Sequence, residues 1–244
     1  MFKTLGRWSP ILIAFFPLLL SAGCSTVPAG KDPAHEALLA EPPKEFVGQI
    51  ELAFRRRVAF MDNKEIETYL THLALRLFPP GKSEIQVELV STTTAGYQPS
   101  VWAVPGGKIF FDVRVLRALK FENEIAAAIA LAWERSQGSE FRERLIQESA
   151  RADPDPMKVW AFGILENERA IESTVDRVYK AGYDPRGLVN YFDRIPSKTK
   201  GQLETDNEAL KDKARRTIAF YAPLLNPIVR SEDFYKMRKR LERL

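Results

Sequence analysis

The sequence predicts an α+β fold that is mostly helical, with a small β-sheet beside a buried central helix. Three short extended stretches, at residues 85–91, 100–104 and 108–112, supply the predicted strands. They are followed by residues 122–137, in which nine consecutive apolar side chains run from Ile125 to Trp133. A helix that is apolar around its whole circumference is buried, so this helix is predicted to be the centre of the domain.

The first 23 residues have the three parts of an export signal. Lys3 and Arg7 form a basic start, an apolar run extends from Ile11 to Leu20, and small residues follow at positions 21–23. The apolar run is shorter than the roughly 20 residues that a helix needs to cross a bilayer. We therefore predict a signal peptide at residues 1–23 that is removed from the mature protein.

Cys24, the only cysteine in the sequence, directly follows those small residues. The string Leu20-Ser21-Ala22-Gly23-Cys24 resembles a bacterial lipobox, although its leucine falls one place earlier than in the usual motif. The resemblance implies that Cys24 carries acyl chains such as palmitate and anchors the protein to a lipid membrane. The alternative is a secreted protein that is cut nearby and keeps a free thiol in an oxidising compartment.

Residues 24–45 are rich in proline and alanine and are predicted to be a tether that carries a folded domain at residues 46–244. Removal of Lys3 and Arg7 lowers the formal net charge from +4 to +2, because two positive charges leave. This charge balance does not indicate nucleic-acid binding, and the sequence has no basic stretch with interleaved aromatic residues. No nucleic-acid partner is therefore predicted. A single cysteine cannot form an internal disulfide, and packing must therefore stabilise the domain.

Two helices are predicted at the start of the domain. The first covers residues 46–60, where apolar residues recur at helical spacing. These residues are Val47, Ile50, Leu52, Phe54, Val58 and Phe60. Asp62 and Glu65 predict a capping box that begins the second helix, which continues to Leu77.

The strand pattern follows this second helix. Residues 85–91 alternate and include β-branched side chains, which predicts a strand. The string Pro105-Gly106-Gly107 separates the two other extended stretches, and two such stretches around a turn signal predict a hairpin.

The C-terminal half is predicted to be helical. One long helix over residues 158–181 is expected to stop at Gly182, a shorter helix covers 185–192, and a charged region follows at 198–216. The last stretch, at 231–244, is a basic amphipathic helix whose apolar residues share one face. They are Phe234, Met237 and Leu241. Packing of this face against the protein is favoured over membrane binding.

Four segments together resemble the periplasmic lipoprotein branch of peptidase family forty-eight, the zinc metallopeptidases that include the CAAX prenyl proteases. The segments are the helix at 62–77, the strand and loop at 100–110, the helix at 122–137 and the string Ala181-Gly182-Tyr183-Asp184-Pro185. The resemblance covers residues 46 to about 195. It implies a metallopeptidase-like domain of the zincin type with a helical C-terminal region.

In that family the central helix carries the motif HExxH. Its two histidines lie on one face of the helix and bind zinc, and its glutamate is the general base for the attacking water. The corresponding residues here are Trp133-Glu134-Arg135-Ser136-Gln137. The resemblance implies that Trp133 and Gln137 stand at degenerate metal-ligand positions and that Glu134 keeps a vestigial general-base position.

The family's third zinc ligand is a glutamate on a later helix, followed four residues on by an aspartate. Counting back from Ala181 without a gap places these positions at Asn167 and Ile171, which makes Asn167 a further degenerate ligand position. A shift of one residue would instead offer Glu168 and Glu172. The sequence leaves both alignments open.

The histidine count argues against zinc independently of any alignment. The chain contains only His35, in the predicted tether, and His72, in the helix at 62–77. Catalytic zinc takes three protein ligands, usually with histidine or cysteine among them. Zinc is expected for the family, yet no metal or other cofactor is predicted for this chain.

A cluster of carboxylates is the remaining way to bind a metal, and it would favour calcium or magnesium over zinc. The candidates are Glu134, Glu140, Glu166, Glu168 and Glu172. Solvated charges on helix faces are the favoured interpretation of these residues.

These observations predict a lipid-anchored pseudo-protease that binds peptide or protein partners in the bacterial cell envelope. In the family, substrate peptides add to the edge of the strand before the Pro-Gly-Gly turn, and a strand edge binds peptide backbone with or without a metal. The counterpart of that strand is Ser100-Val101-Trp102-Ala103-Val104. Because Ser25 follows Cys24, the periplasmic face of the outer membrane is the expected location.

Two alternatives remain. The first is an active metalloendopeptidase of the same family that uses an atypical metal site in envelope protein quality control. The second is a structural envelope protein whose cleft is filled by its own side chains, with Trp133 as the residue that fills it.

Overall fold

The computed structural model describes residues 42–78, 85–92, 97–195 and 202–244, and for 202–206 the backbone alone. The predicted signal peptide, Cys24, His35 and the tether as far as residue 41 lie outside the described residues. The lipid anchor therefore stays a prediction from the sequence. Within the described ranges, no helix is long and apolar enough to cross a membrane.

The described residues form a mainly helical α+β fold, as the sequence predicts, with a small sheet beside a central helix. The helices are α1 (Lys44–Arg55), α2 (Lys64–Leu77), α3 (Val113–Ala118), α4 (Glu122–Ser136), α5 (Ser139–Ser149), α6 (Pro156–Val159), α7 (Ile164–Lys180), α8 (Arg186–Arg194), α9 (Gln202–Ile218) and α10 (Glu232–Leu241). The strands are β1 (Ala59–Phe60), β2 (Gln86–Ser91), β3 (Val101–Val104) and β4 (Lys108–Asp112).

The described strands form one mixed sheet in the order β1-β2-β4-β3. β1 and β2 are antiparallel, β2 and β4 are parallel, and β4 and β3 are antiparallel with Trp102 opposite Phe110. The β3–β4 connection is the predicted hairpin. Gly106 and Gly107 adopt φ values of 94° and 97° there, a conformation that residues with a side chain rarely adopt. Among the described strands, β3 lies at the edge of the sheet.

The sheet separates two hydrophobic cores, because successive side chains of a strand point to opposite faces. Val101 and Ala103 of β3 pack in the larger core with apolar residues of α2, α4 and α7. Trp102 and Val104 point to the other face, into a smaller core that contains Phe54 of α1. Trp102 therefore faces away from the central helix.

Helix α4 is the predicted central helix, and its residues from Glu122 to Ala132 are all buried. Glu124 caps its first turn, because its Oε2 accepts the Lys120 backbone N–H at 2.6 Å. The same carboxylate pairs with Arg194 of α8 at 2.8 Å. The interior position of α4 explains why its sequence is almost uninterrupted in apolar residues.

The prediction of one helix over 46–60 was wrong at its C-terminal end, because α1 stops at Arg55 and residues 59–60 join the sheet as β1. The Met61 N–H continues the pairing and donates to the Leu89 carbonyl at 3.0 Å. The cap of the next helix also differs from the prediction. Asn63, not Asp62, caps α2, with its Oδ1 accepting the Ile66 N–H at 3.1 Å.

The prediction of one long helix over 158–181 was also wrong. Residues 156–159 and 164–180 are separate helices, α6 and α7, and residues 160–163 form a loop between them. Helices α3 and α5 were missed by the sequence analysis. The predicted C-terminal helix is present as α10, capped by the Ser231 hydroxyl, and the apolar face expected to pack against the protein is buried in the larger core.

Candidate functional site

Glu134 lies near the C-terminal end of α4 and pairs with Arg177 of α7. The Arg177 Nε–H donates to Glu134 Oε1 at 2.5 Å, and only 10% of the Glu134 side chain is exposed. The residue at the predicted general-base position is therefore in the interior and bound to a guanidinium. One of its two carboxylate oxygens, Oε1, already accepts a hydrogen bond.

The pKa of Glu134 lies above the ordinary carboxyl value of 4.5. Burial is the main cause, because a desolvated carboxylate is less stable than a hydrated one, while the positive charge of Arg177 lowers the pKa and the nearby Asp176 raises it. Burial outweighs the ion pair. Ionising Glu134 in the folded protein therefore costs free energy, and the attraction to Arg177 offsets only part of it.

Two aromatic rings adjoin this ion pair. Trp133 is half-buried and packs against Phe78, the residue after α2, with 4.6 Å between the ring centroids and 34° between the ring planes. The Arg177 guanidinium lies 4.7 Å from the centroid of the same Phe78 ring. We refer to Phe78, Trp133, Glu134 and Arg177 as the Glu134 cluster. It occupies the end of α4 at which the family resemblance implies a metal.

Gln137, the other degenerate position of the motif, is exposed just after the end of α4. Its amide Nε2 donates to Ser136 Oγ at 3.0 Å, and the Ser136 hydroxyl donates to the Trp133 carbonyl at 2.7 Å. These bonds satisfy groups at the C-terminus of the helix. The described hydrogen bond of Gln137 is thus local, and it does not reach Glu134.

Asn167 and Ile171 both lie on the buried face of α7. The Asn167 amide Nδ2 donates to the carbonyls of Phe162 and Gly163 at 3.3 Å and 2.9 Å, while its buried Oδ1 has no hydrogen-bond partner within the described ranges. At the position that the resemblance assigns to the third metal ligand, the chain thus has an amide that holds the 160–163 loop.

The alignment shifted by one residue gives a different arrangement. Glu172 is 57% exposed and pairs with Lys213 of α9. Glu168 is half-buried. The alignment without a gap is the one that places its residues, Asn167 and Ile171, on the side of α7 that packs in the larger core.

The other acidic candidates are held apart by separate cations. Arg144 binds both carboxylate oxygens of Glu166, at 3.1 Å and 2.7 Å, and Arg169 pairs with Glu140. Within the described ranges, no three His, Cys, Asp or Glu side chains lie together as a metal-binding group. His72 is on the exposed side of α2.

The hydrogen-bond register shows which way the β3 backbone faces. The Asp112 N–H donates to the Ser100 carbonyl at 3.1 Å, and in an antiparallel pair every second residue is bonded to the partner strand. Trp102 and Val104 are therefore bonded to β4. The backbone groups of Val101 and Ala103 point to the outer edge of the sheet, where the sequence analysis expects a peptide to bind.

Trp160 occupies part of this edge. Its indole Nε1–H donates to the Ala103 carbonyl at 3.0 Å, and its ring packs beside Trp102 and Phe54 in the smaller core. A side chain thus takes the acceptor that a neighbouring strand would use. All four β3 residues are buried, so the edge is covered in this structure.

The loop at 160–163, which we call the edge loop, is held by several side chains. Arg144 Nε donates to the Val159 carbonyl at 3.1 Å, and the Arg135 and Arg144 guanidiniums lie 5.4 Å and 5.5 Å from the centroid of the Phe162 ring. Phe162 also stacks on Phe141 of α5, with 5.9 Å between the centroids. Together with Asn167, these contacts fix the loop beside β3.

The sequence pointed to Trp133, Glu134, Asn167 and the β3 strand as candidate site residues. It did not reveal the distant residues that bind to them. Arg177 is 43 positions from Glu134, and Trp160 is 57 positions from Ala103. Pairings over such separations leave no local periodicity. The sequence offered one hint for Arg177: it directly precedes Val178, a residue of the buried face of α7.

In comparisons with known proteins, no family model and no curated protein matches this chain.

Proposed function

We propose that this chain is a lipid-anchored pseudo-protease of metallopeptidase-like fold that binds extended polypeptide segments of envelope proteins along the β3 edge and does not cleave them. The observation that carries the proposal is the bond from the Trp160 indole to the Ala103 carbonyl. A single side-chain donor satisfies this acceptor, and the backbone N–H of an incoming strand can replace it. Release of the edge loop then opens the edge for strand addition.

The state of Glu134 supports binding without hydrolysis. In this chain the carboxylate is bound to Arg177, and tryptophan, glutamine and asparagine stand at the positions that the resemblance assigns to metal ligands. None of these three side chains is a usual zinc ligand. Without a metal to lower its pKa, a bound water is a poor nucleophile at neutral pH.

The predicted lipid anchor at Cys24 gives the proposal its location. An acylated cysteine followed by a proline-rich tether would hold the domain close to a membrane and still let it turn toward unfolded segments. Partners at the periplasmic face of the outer membrane, in quality control or assembly, follow from that placement.

The test uses labelled casein, an unfolded polypeptide, and measures its binding to the full chain by fluorescence anisotropy. Val101→Pro removes an outward backbone N–H without removing a bond to β4, because Val101 alternates with the residues that pair with β4. We expect this variant to lose casein binding. Trp160→Phe keeps an aromatic ring but frees the Ala103 carbonyl, so we expect it to bind casein several-fold more tightly than the wild type.

Val101→Ala is the matched control, since it shortens the same side chain and keeps the N–H, and it should bind casein like the wild type. Absence of casein binding in every form, or equal binding in all of them, would contradict the proposal. Cleavage of the bound casein that Glu134→Ala abolishes would support the alternative, an active metalloendopeptidase.

A further inference from the structure

A cavity of about 280 Å³ lies between α2 and α10, and none of its lining residues belongs to β3 or to the Glu134 cluster. A cavity of this volume is large enough for a small organic molecule. Apolar side chains of both helices form its walls, and charged side chains form its rim. The apolar residues are Ile66, Leu73 and Met237.

Glu122, the first residue of α4, lines the deep side of this cavity. The side chain is fully buried, and its Oε1 accepts the Tyr183 hydroxyl at 3.2 Å. Its Oε2 is also buried and has no hydrogen-bond partner in the described part of the chain. A buried carboxylate oxygen without a donor costs free energy, so such an oxygen is commonly the place where a ligand or water binds.

A second unpartnered group lines the same cavity. Among the described residues the buried Tyr69 hydroxyl has no hydrogen-bond partner, and burial together with the negative charge of Glu122 raises its pKa. Burial likewise raises the pKa of Tyr183 to about 12, and the Glu122 charge contributes. Both phenols therefore stay protonated. The Tyr183 O–H is already donated to Glu122, whereas the Tyr69 hydroxyl can still donate to or accept from a third group.

Arg76 is the cation nearest to Glu122, but it does not complete the site. Its Nη1 lies 3.8 Å from Glu122 Oε1, beyond hydrogen-bond distance, and its side chain is 52% exposed. It also lines the cavity. Arg76 interacts with Tyr183, and its charge also faces Glu122 and Asp233, while neither unpartnered oxygen of the site accepts a hydrogen bond from it.

We propose that this cavity binds a small molecule through a primary ammonium group, which donates to Glu122 Oε2 and to the Tyr69 hydroxyl oxygen. An ammonium group carries three N–H donors on a compact centre, and here it meets two acceptors that lack donors. The site is separate from the β3 edge, and this inference does not depend on the proposed function.

The bond from Tyr183 to Oε1 favours an ammonium over a guanidinium. A guanidinium binds a carboxylate best with two parallel hydrogen bonds to both oxygens, and at Oε1 it would have to share the oxygen with the Tyr183 hydroxyl. A divalent metal would need several oxygen ligands, whereas this cavity offers one buried carboxylate and a phenol. An ammonium needs a single free carboxylate oxygen.

The experiment is a calorimetric titration of the full chain with leucinamide, a small primary amine. N-acetylleucinamide has the same side chain without the ammonium, so we expect leucinamide to bind and the acetylated compound not to bind. Leucine and a leucyl-alanyl-alaninamide tripeptide distinguish the two natural sources of the group. Tighter binding of leucine points to a free amino acid, and tighter binding of the tripeptide points to the amino end of a peptide.

Two variants assign the site. Glu122→Gln keeps the shape and the acceptor for Tyr183 but removes the charge, and we expect it to weaken leucinamide binding by about tenfold or more. Tyr69→Phe removes one acceptor and should weaken binding several-fold. Glu124→Gln is the matched control, because Glu124 is an equally buried carboxylate on the same helix that pairs with Arg194 outside the cavity.

A second readout does not require the variants to fold. His72 lines the cavity and is one of only two histidines in the chain. In the wild type, leucinamide should shift the ring proton resonances of His72, whereas N-acetylleucinamide should leave them unchanged. Equal responses to the two compounds, no binding of leucinamide, or unchanged binding to Glu122→Gln would each overturn the proposal and indicate a cavity that holds water alone.

Discussion

The Arg177 Nε lies 2.5 Å from Glu134 Oε1 and joins α7 to the end of the central helix. The sequence directs attention to Glu134 because the family resemblance assigns it to the general-base position of the motif. In the structure the same residue is part of an interior ion pair beside Phe78 and Trp133. A structural role for Glu134 makes definite predictions about stability.

Replacement of Arg177 by methionine should destabilise the protein. The change leaves the Glu134 carboxylate buried without its cation, and we expect the free energy of unfolding to fall by about 2–4 kcal/mol in urea denaturation at neutral pH. The double variant Glu134→Gln/Arg177→Met should recover most of the loss, because no unpaired charge remains. Lys180→Met, which breaks an exposed pair with Asp176 on the same helix, should cost under about 0.5 kcal/mol. An Arg177→Met cost as small as that control would contradict the role given to the ion pair.

The raised pKa of Glu134 predicts a pH dependence with a definite sign. A carboxyl group whose pKa is higher in the folded state than in the unfolded state binds its proton more tightly when folded. Stability is therefore lost as pH rises from the ordinary value of 4.5 through the raised folded-state value. The free energy of unfolding of wild type relative to Glu134→Gln should fall across this window and then level off. A relative rise would show that Arg177 outweighs burial.

Asn167→Asp should release the edge loop. The aspartate would place a carboxylate oxygen where Nδ2 now donates to the Phe162 and Gly163 carbonyls, so two attractive contacts become repulsive. We expect a loss of about 2–3 kcal/mol in the free energy of unfolding, and tighter casein binding as the β3 edge opens. Asn167→Ala removes the donors without adding repulsion and should have a smaller effect on both measurements. Equal effects of the two variants would argue against this account of the loop.

Two glycine substitutions test the packing of α8 against α4. A Cβ at Gly187 would lie 2.4 Å from the Asn123 backbone oxygen, so Gly187→Ala must move one helix away from the other. We expect a loss of about 1–3 kcal/mol, measured by urea denaturation. Gly48→Ala is the matched control, because Gly48 is in α1 with no atom within 4 Å of its added Cβ, and this variant should gain about 0.5–1 kcal/mol. A neutral Gly187→Ala would mean that the helices are not in close contact there.

The sequence predicted correctly those elements whose residue patterns depend only on neighbouring residues. The uninterrupted apolar run of α4 and the turn at Gly106 and Gly107 each have one physical interpretation, and both are present in the structure. The continuous helix over 158–181 was predicted because residues on both sides of the break favour helix. The break at 160–163 follows from a distant contact, the Trp160 indole on the Ala103 carbonyl.

In the candidate site, too, local sequence patterns were predictable and contacts between distant residues were not. Glu134, Trp133 and Asn167 were selected from their order along the chain, and the direction of the β3 residues follows from strand alternation. Arg177, Phe78 and the edge loop act on them from other elements, and nothing in the local sequence marks these pairings. Glu122 also looked like the first residue of a helix, and its place in a cavity depends on α2 and α10 packing around it.

The zinc content of the full chain, purified without added metal and measured by inductively coupled plasma mass spectrometry, tests the central claim most directly. The claim is that this protein binds polypeptides and lacks the hydrolytic centre of the metallopeptidases that it resembles. The account predicts zinc far below one ion per chain, with casein recovered intact after incubation. One tightly held zinc per chain, lost together with casein cleavage in Glu134→Ala, would contradict it.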